Sequence, residues 1–101
     1  MYRQGDVLFV AINDIPAKVG EWTKKNVLVE GEATGHHHAV APIDMESVEI
    51  FIDKDGRCIM QNKKPVNITH QEHHTINLPA GAWEIRRQVE YFPEGWKQVR
   101  D

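Results

Sequence analysis

The chain has 101 residues, of which 41% are hydrophobic and 27% charged, with a formal net charge of −3 when histidine is neutral. This composition is typical of a soluble globular protein and excludes a disordered chain, so we expect a single domain over residues 1–101. The charge balance, without a basic tail or an arginine stripe, argues against nucleic acid as the main partner.

The N-terminal segment MYRQGDVLFV has no basic region followed by an extended apolar stretch, so it does not resemble a signal peptide. No apolar run in the sequence is long enough to cross a membrane, and Cys58 is the only cysteine. We therefore expect a cytoplasmic protein that does not act at a membrane. Any metal ion that it binds must be held by histidine and carboxylate groups.

Hydrophobic and polar residues alternate along most of the chain, which is the pattern of half-buried β-strands. In chain order, the pattern covers residues 6–12, 26–31, 47–62, 65–79, 82–92 and a C-terminal WKQV segment. The 47–62 segment predicts a hairpin, because DKDG supplies a glycine for the turn. We therefore predict an all-β fold of about seven to eight short strands, arranged as a small antiparallel β-barrel or sandwich.

All six histidines lie in two short segments of the sequence, HHH at 36–38 and HQEHH at 70–74. Residues two apart on a strand face the same way, so His36 and His38 share a face with the apolar Val40. The first segment therefore directs two imidazoles toward one side of its strand.

The second histidine segment follows apolar residues of the same parity. If the 65–79 strand is unbroken, His70, Glu72 and His74 project inward beside Val66. Burying such groups without partners costs roughly 1–3 kcal/mol each. A divalent metal ion shared by the two segments would offset that cost.

Imidazole nitrogen is a good ligand for zinc, iron, manganese and nickel, so we predict a site for one of these divalent ions. The predicted ligands are the inward-facing His36, His38, His70 and His74. Glu72 is predicted to be a further ligand or a general base for a metal-bound water. If the strand kinks near Gln71, His70 and His73 converge instead, and the sequence leaves both alternatives open.

Arg87 lies on the otherwise apolar face of the 82–92 strand. A guanidinium there would steer the carboxylate or phosphate of a substrate beside the metal, so Arg87 joins Glu72 as a predicted catalytic residue. The alternative is a salt bridge with Glu84 or Glu90 at the rim of a sheet.

Two resemblances extend this interpretation. The His-x-His pair, a later histidine and the segment LPAGAWEI resemble the metal site and Pro-x-Gly turn of cupins, which implies a small barrel with histidine and glutamate ligands. The chain departs from the cupin pattern at Glu46, which lies far beyond His38 and is not followed by a suitable glycine. The segments YRQGDVL, GEATGHHH, HQEHHTINLPAG and RRQVEY resemble an uncharacterised family of small bacterial and phage proteins.

Three hypotheses follow for the function. The first is a cupin-like metalloenzyme that acts on a small polar substrate. The second is a non-catalytic module in which a closed metal site stabilises a surface for a protein partner, and the third is a metal-free polar patch whose histidines respond to pH. The sequence leaves open whether the chain forms a homo-oligomer.

Overall fold

The computed structural model describes residues 1–22, 26–30, 36–87, 89–92 and 95–98. In these ranges, twelve strands and one 3₁₀ helix, Pro42–Ser47, are found. The strands are β1 (Tyr2–Gln4), β2 (Val7–Ala11), β3 (Gly20–Glu21), β4 (Val27–Glu30), β5 (His37–Val40), β6 (Val48–Ile52), β7 (Cys58–Asn62), β8 (Val66–Thr69), β9 (Ile76–Leu78), β10 (Gly81–Arg87), β11 (Val89–Phe92) and β12 (Gly95–Gln98). No helix in the described ranges is long and apolar enough to span a membrane.

Ten of these strands form two antiparallel sheets, and the other two pair only with each other. The larger sheet has the order β1-β2-β10-β7-β6-β3, and the smaller one has the order β4-β5-β8-β9. Strands β11 and β12 make a separate hairpin. The all-β prediction is confirmed, and the arrangement is sandwich-like rather than a closed barrel.

The predicted hairpin over residues 47–62 is present as β6 and β7. Ile52 pairs with Cys58 at its closed end, and Gly56 in the turn has a φ of 79°. A residue with a side chain rarely adopts this backbone angle, so the glycine in DKDG fixes where the chain reverses.

The hydrophobic core lies between the two sheets, because each sheet turns one set of alternating side chains toward the other. Burying a large aliphatic or aromatic side chain completely stabilises a fold by roughly 1.5–3 kcal/mol relative to leaving it exposed. The larger sheet contributes Val7, Phe9, Ile50, Cys58, Met60, Trp83 and Ile85, and the smaller sheet contributes Leu28, Val40, Val66, Ile68 and Leu78.

Two segments of continuous alternation are each divided between two strands. The 65–79 segment is not one strand but a hairpin, in which β8 ends at Thr69 and β9 begins at Ile76. The 82–92 segment is likewise divided between β10 and β11, which belong to different sheets. Divisions of this kind raise the number of described strands above the seven or eight expected.

Candidate functional site: a buried histidine–aspartate cluster

The two histidine segments meet between the sheets, as the alternation pattern predicted. His38 lies on β5 with Val40, and His70 follows β8 on the side that carries Ile68. His38 is fully buried and His70 is 9% exposed. Their ring centroids are 4.4 Å apart, although the residues are far apart in the sequence.

The loop between β8 and β9 decides which other histidines join them. The chain bends over residues 71–73, as in the kinked alternative considered above. The bend brings the ring centroid of His73 to 4.6 Å from that of His70 and 6.2 Å from that of His38. The centroid of His36 lies 5.7 Å from that of His70. These four residues, with Asp6 and Gln4 described next, are called the histidine–aspartate cluster below.

Gln4 fixes the orientation of the His38 ring. Its buried side-chain nitrogen donates to the carbonyl oxygens of Ile68, at 2.8 Å, and His74, at 2.9 Å. The amide oxygen of Gln4 must therefore accept a hydrogen bond from Nδ1 of His38, at 2.9 Å. The other ring nitrogen, Nε2, faces Asp6. In a neutral imidazole that carries its proton on Nδ1, Nε2 keeps the lone pair.

Asp6 connects His38 to Arg87 at the bottom of the cluster. Its side chain is fully buried, and Oδ1 lies 3.3 Å from Nε2 of His38. Nε of Arg87 donates to Oδ2 at 2.7 Å. Oδ1 accepts no hydrogen bond from the described part of the chain. A buried carboxylate oxygen left in this condition costs roughly 1–3 kcal/mol or more.

His70 has a different tautomer from His38. Its Nδ1 accepts hydrogen bonds from the backbone N–H groups of Glu72, at 3.0 Å, and His73, at 3.3 Å. A neutral imidazole has one nitrogen with a lone pair and one with a proton, so the proton of His70 is on Nε2. In this arrangement Nε2 of His70 is a donor and has no lone pair for a metal ion.

Gly5 explains how His73 can reach the cluster. Gly5 is in the two-residue turn between β1 and β2 and has a φ of 59°. A Cβ atom at this position would lie 2.6 Å from Nε2 of His73, closer than real Cβ contacts allow. Nε2 of His73 is buried and has no hydrogen-bond partner in the described ranges. The positive φ favours glycine here, and any added side chain would force the His73 ring to move.

The rim of the cluster reaches solvent. The side chain of His36 is 23% exposed, and its Nε2 lies 3.6 Å from Oε1 of Glu72, which is 59% exposed. Arg87 is 22% exposed on the inner face at the end of β10. The cluster therefore has a closed end at Asp6 and an open end at His36 and Glu72.

Most of the predicted site residues are brought together, with one exception. His74 is exposed, and among the described ring contacts none involves it. His73 takes the inward place that an unbroken strand would have given to His74. Among the described residues, no three histidine, cysteine, aspartate or glutamate side chains are so arranged that they could hold a metal ion as they stand.

The alternative for Arg87, a salt bridge, is present, but its partner is Asp6. Glu84 pairs instead with Arg57 and Arg86, and the side chain of Glu90 lies outside the described residues. Asp6 is not among the site residues predicted from the sequence. The only sequence signal for Asp6 is a carboxylate next to the glycine of a turn. Turn residues do not follow the alternation of side chains that identified the histidines.

The fold and site together define a class of protein: a small two-sheet β-sandwich with a buried histidine–carboxylate cluster open at one end. Residues 3–88 match the model of a family described as a domain of unknown function, DUF8820, and the chain belongs to that family. No curated protein and no solved structure matches the chain.

Proposed function

We propose that the protein binds a divalent metal ion at the closed end of the cluster, through Oδ1 of Asp6, Nε2 of His38 and Nε2 of His73. The observation that carries the proposal is Oδ1 of Asp6, a fully buried carboxylate oxygen that accepts no hydrogen bond from the described residues. A buried charged oxygen is normally paired or coordinated to a metal ion. A cation at this position would remove the cost.

The distance between the first two donor atoms supports the proposal. Zinc binds imidazole nitrogen and carboxylate oxygen at about 2.0–2.2 Å, so two ligands of one tetrahedral ion lie about 3.3 Å apart. Oδ1 of Asp6 and Nε2 of His38 are 3.3 Å apart. With one aspartate and two imidazoles, the set of ligands also suits iron, manganese or nickel.

The groups behind these donors have the roles that metal sites usually require. Gln4 accepts the Nδ1 proton of His38, which leaves the lone pair on Nε2, and Arg87 holds the second oxygen of Asp6. Such outer contacts orient ligands and typically change metal affinity by about 10–100-fold when removed. His70 would orient the loop through its two backbone hydrogen bonds rather than bind the ion.

The third donor must move into place, because three ligands are not already assembled. Nε2 of His73 is buried beside Gly5, the neighbour of Asp6, and a rotation of its side chain would have to turn it toward the other two donors. His36 and Glu72 lie at the open end, where they would contact water or a small molecule bound to the ion. An open position of this kind is typical of catalytic rather than structural metal sites, and therefore favours action on a small polar substrate over a closed, purely structural ion.

The test is a competition titration with zinc, combined with element analysis of untagged protein. We expect about one ion per chain, and a loss of affinity of about 100-fold or more in D6N and in H38A, larger than the loss of an outer contact. The matched control is the double variant H37A/H74A. It removes two imidazoles, more than either site variant, but His74 is exposed and Nε2 of His37 lies 3.4 Å from Nε2 of Gln71, outside the cluster.

Thermal unfolding of each variant separates loss of the site from loss of the fold. The proposal is wrong if the wild-type protein binds no zinc, manganese, iron or nickel above the level of a histidine-free protein. It is also wrong if H37A/H74A loses as much affinity as D6N while both remain folded.

A further inference from the structure

We infer that the same site binds a small oxyanion, of the carboxylate or sulfate type, through Nη2 of Arg87. This inference rests on the proposed function, because the metal ion supplies the second contact to the anion. It concerns the chemical class of ligand, which the metal site alone does not determine.

Arg87 is held in one orientation by its ion pair. It ends β10 opposite Val7, and Nε donates to Oδ2 of Asp6 at 2.7 Å. Nη2 of the same guanidinium is buried and donates to no acceptor in the described part of the chain. The side chain as a whole is 22% exposed. An acceptor from outside would complete its hydrogen bonds.

The two other arginines with described ion pairs on this sheet do not offer such a donor. Nε of Arg57 donates a hydrogen bond to the buried carboxylate of Asp53, and Nε of Arg86 donates one to the buried carboxylate of Glu84. Arg57 and Arg86 have no buried nitrogen atom without a hydrogen-bond partner. Among these three arginines, the incomplete hydrogen bonding is specific to Arg87.

The local charges favour an anion once a cation is bound. Asp6 and Arg87 carry opposite unit charges and cancel each other. A divalent ion then adds two positive charges, while Glu72, which is 59% exposed, offers only a solvated negative charge. The site becomes net positive, and an anion would neutralise it.

A guanidinium beside a metal ion provides two contacts to one oxyanion. The planar N–H groups of arginine match the oxygen atoms of carboxylate and of tetrahedral oxyanions, and these charge-assisted hydrogen bonds are stronger than neutral ones. The second oxygen of the anion would bind the ion itself. Water or an alcohol offers no second oxygen for this arrangement.

The experiment is an NMR titration of the whole protein with sodium acetate and, separately, with sodium sulfate, before and after loading with zinc. The Nε–H signal of Arg87 and nearby backbone amides report binding. The variants are R87Q and R87K, of which R87K keeps the positive charge but not the planar guanidinium. The matched control is R86Q, on the opposite face of β10.

We expect saturable shifts around Arg87 in the zinc-loaded protein, with an affinity about tenfold weaker in R87Q and unchanged in R86Q. R87K should be intermediate. Equal affinity in wild type and folded R87Q would overturn the inference, and so would the absence of saturable shifts in the zinc-loaded wild type. Stronger binding of acetate than of sulfate assigns the carboxylate class, and the reverse assigns the tetrahedral class.

The metal-free arm distinguishes this inference from the proposal on which it rests. If zinc does not bind but acetate or sulfate still shifts Arg87, and R87Q abolishes the effect, the metal proposal fails while the oxyanion site stands. If zinc binds and neither anion does, the metal proposal stands and the oxyanion inference fails.

Discussion

Asp6 and Asp53 are buried carboxylates at tight turns, and each accepts a hydrogen bond from an arginine. Their surroundings nevertheless differ. The hydrogen-bond donors to Asp53 all lie within four residues of it. Oδ1 accepts hydrogen bonds from the backbone N–H groups of Asp55 and Arg57, and Oδ2 accepts one from Nε–H of Arg57. Asp6 is bonded to Arg87, 81 residues away in the sequence, and one of its oxygens accepts no hydrogen bond from the described residues.

The difference separates a carboxylate that stabilises a turn from one that is available for binding. Both oxygens of Asp53 accept hydrogen bonds from residues of the turn, so this carboxylate stabilises the β6–β7 hairpin. Asp6 brings a negative charge to 3.3 Å from the imidazole of His38, and its Oδ1 accepts no hydrogen bond from the described residues. A buried polar atom in that condition lowers stability unless a ligand compensates for it, which is the trade between stability and function found at many sites.

The largest effects are expected from replacing the glycines of these two turns, Gly5 and Gly56, by alanine. G5A forces a positive φ on alanine and places Cβ against His73, so we expect a loss of about 2–4 kcal/mol in the free energy of unfolding. G56A has the same kind of strain at φ 79° but nothing within 4 Å of its Cβ, so the loss should be about 1–2 kcal/mol. Urea unfolding measures both. Equal losses would contradict the close contact between Gly5 and His73.

The second comparison replaces each aspartate by asparagine. D53N turns an acceptor oxygen into an N–H group that faces other donors, so we expect a fall of several degrees in the melting temperature. D6N removes the partner charge of Arg87, but its new N–H group can donate to Nε2 of His38. We therefore expect D6N to be destabilised less than D53N, and calorimetry on the two metal-free variants decides. The opposite order would mean that Asp6 is the more important structural carboxylate.

The third prediction concerns acid. Burial alone would raise the pKa of Asp53, but hydrogen bonds from the backbone and side chain of Arg57 and from Asp55 outweigh it and lower the pKa below its ordinary 3.8. Because the unfolded carboxylate takes up a proton at higher pH than the folded one, its stabilisation is complete above about pH 4. It is lost as the pH falls through the folded pKa.

Melting temperatures across the acid range check this. Wild-type stability should fall below about pH 4, and D53N should lose less over the same range because it has no carboxylate to protonate there. An identical acid profile for D53N would show that other carboxylates account for the fall.

The smallest effect is expected at Cys58, which begins β7 beside the Asp53 turn. Burial raises the pKa of its thiol to about 12, so almost no reactive thiolate is present at neutral pH. We expect a disulfide reagent to label Cys58 only as fast as the protein opens, faster in D53N and unchanged in D6N. Rapid labelling of the folded wild type would indicate that this end of the core is open.

The alternation of side chains was enough to predict the parts of the molecule that obey it. His38 and His70 face the core because they share parity with Val40 and Ile68, and the β6–β7 hairpin follows from its turn sequence. The β8–β9 hairpin was hidden because its register pairs positions of the same parity, such as Val66 with Leu78. One continuous strand and a hairpin therefore have the same hydrophobic pattern.

Turn geometry and tautomers were beyond the reach of that pattern. Asp6 and Gln4 lie at the β1–β2 turn, where side-chain direction depends on backbone angles rather than on alternation. The proton positions of His38 and His70 depend on hydrogen bonds from Gln4 and from the bend at 71–73, which join segments that are distant in the sequence. Only the assembled fold determines which imidazole nitrogens can donate a lone pair.

The most direct test of the account is a long-range ¹H–¹⁵N NMR spectrum of the imidazoles before and after addition of equimolar zinc. Without zinc, His38 should be protonated on Nδ1 and His70 on Nε2. With zinc, we predict coordination shifts at Nε2 of His38 and of His73, while His70 keeps its tautomer. Shifts confined to His37 and His74, or a change of tautomer at His70 with coordination through its Nε2, would contradict the assignment of the site.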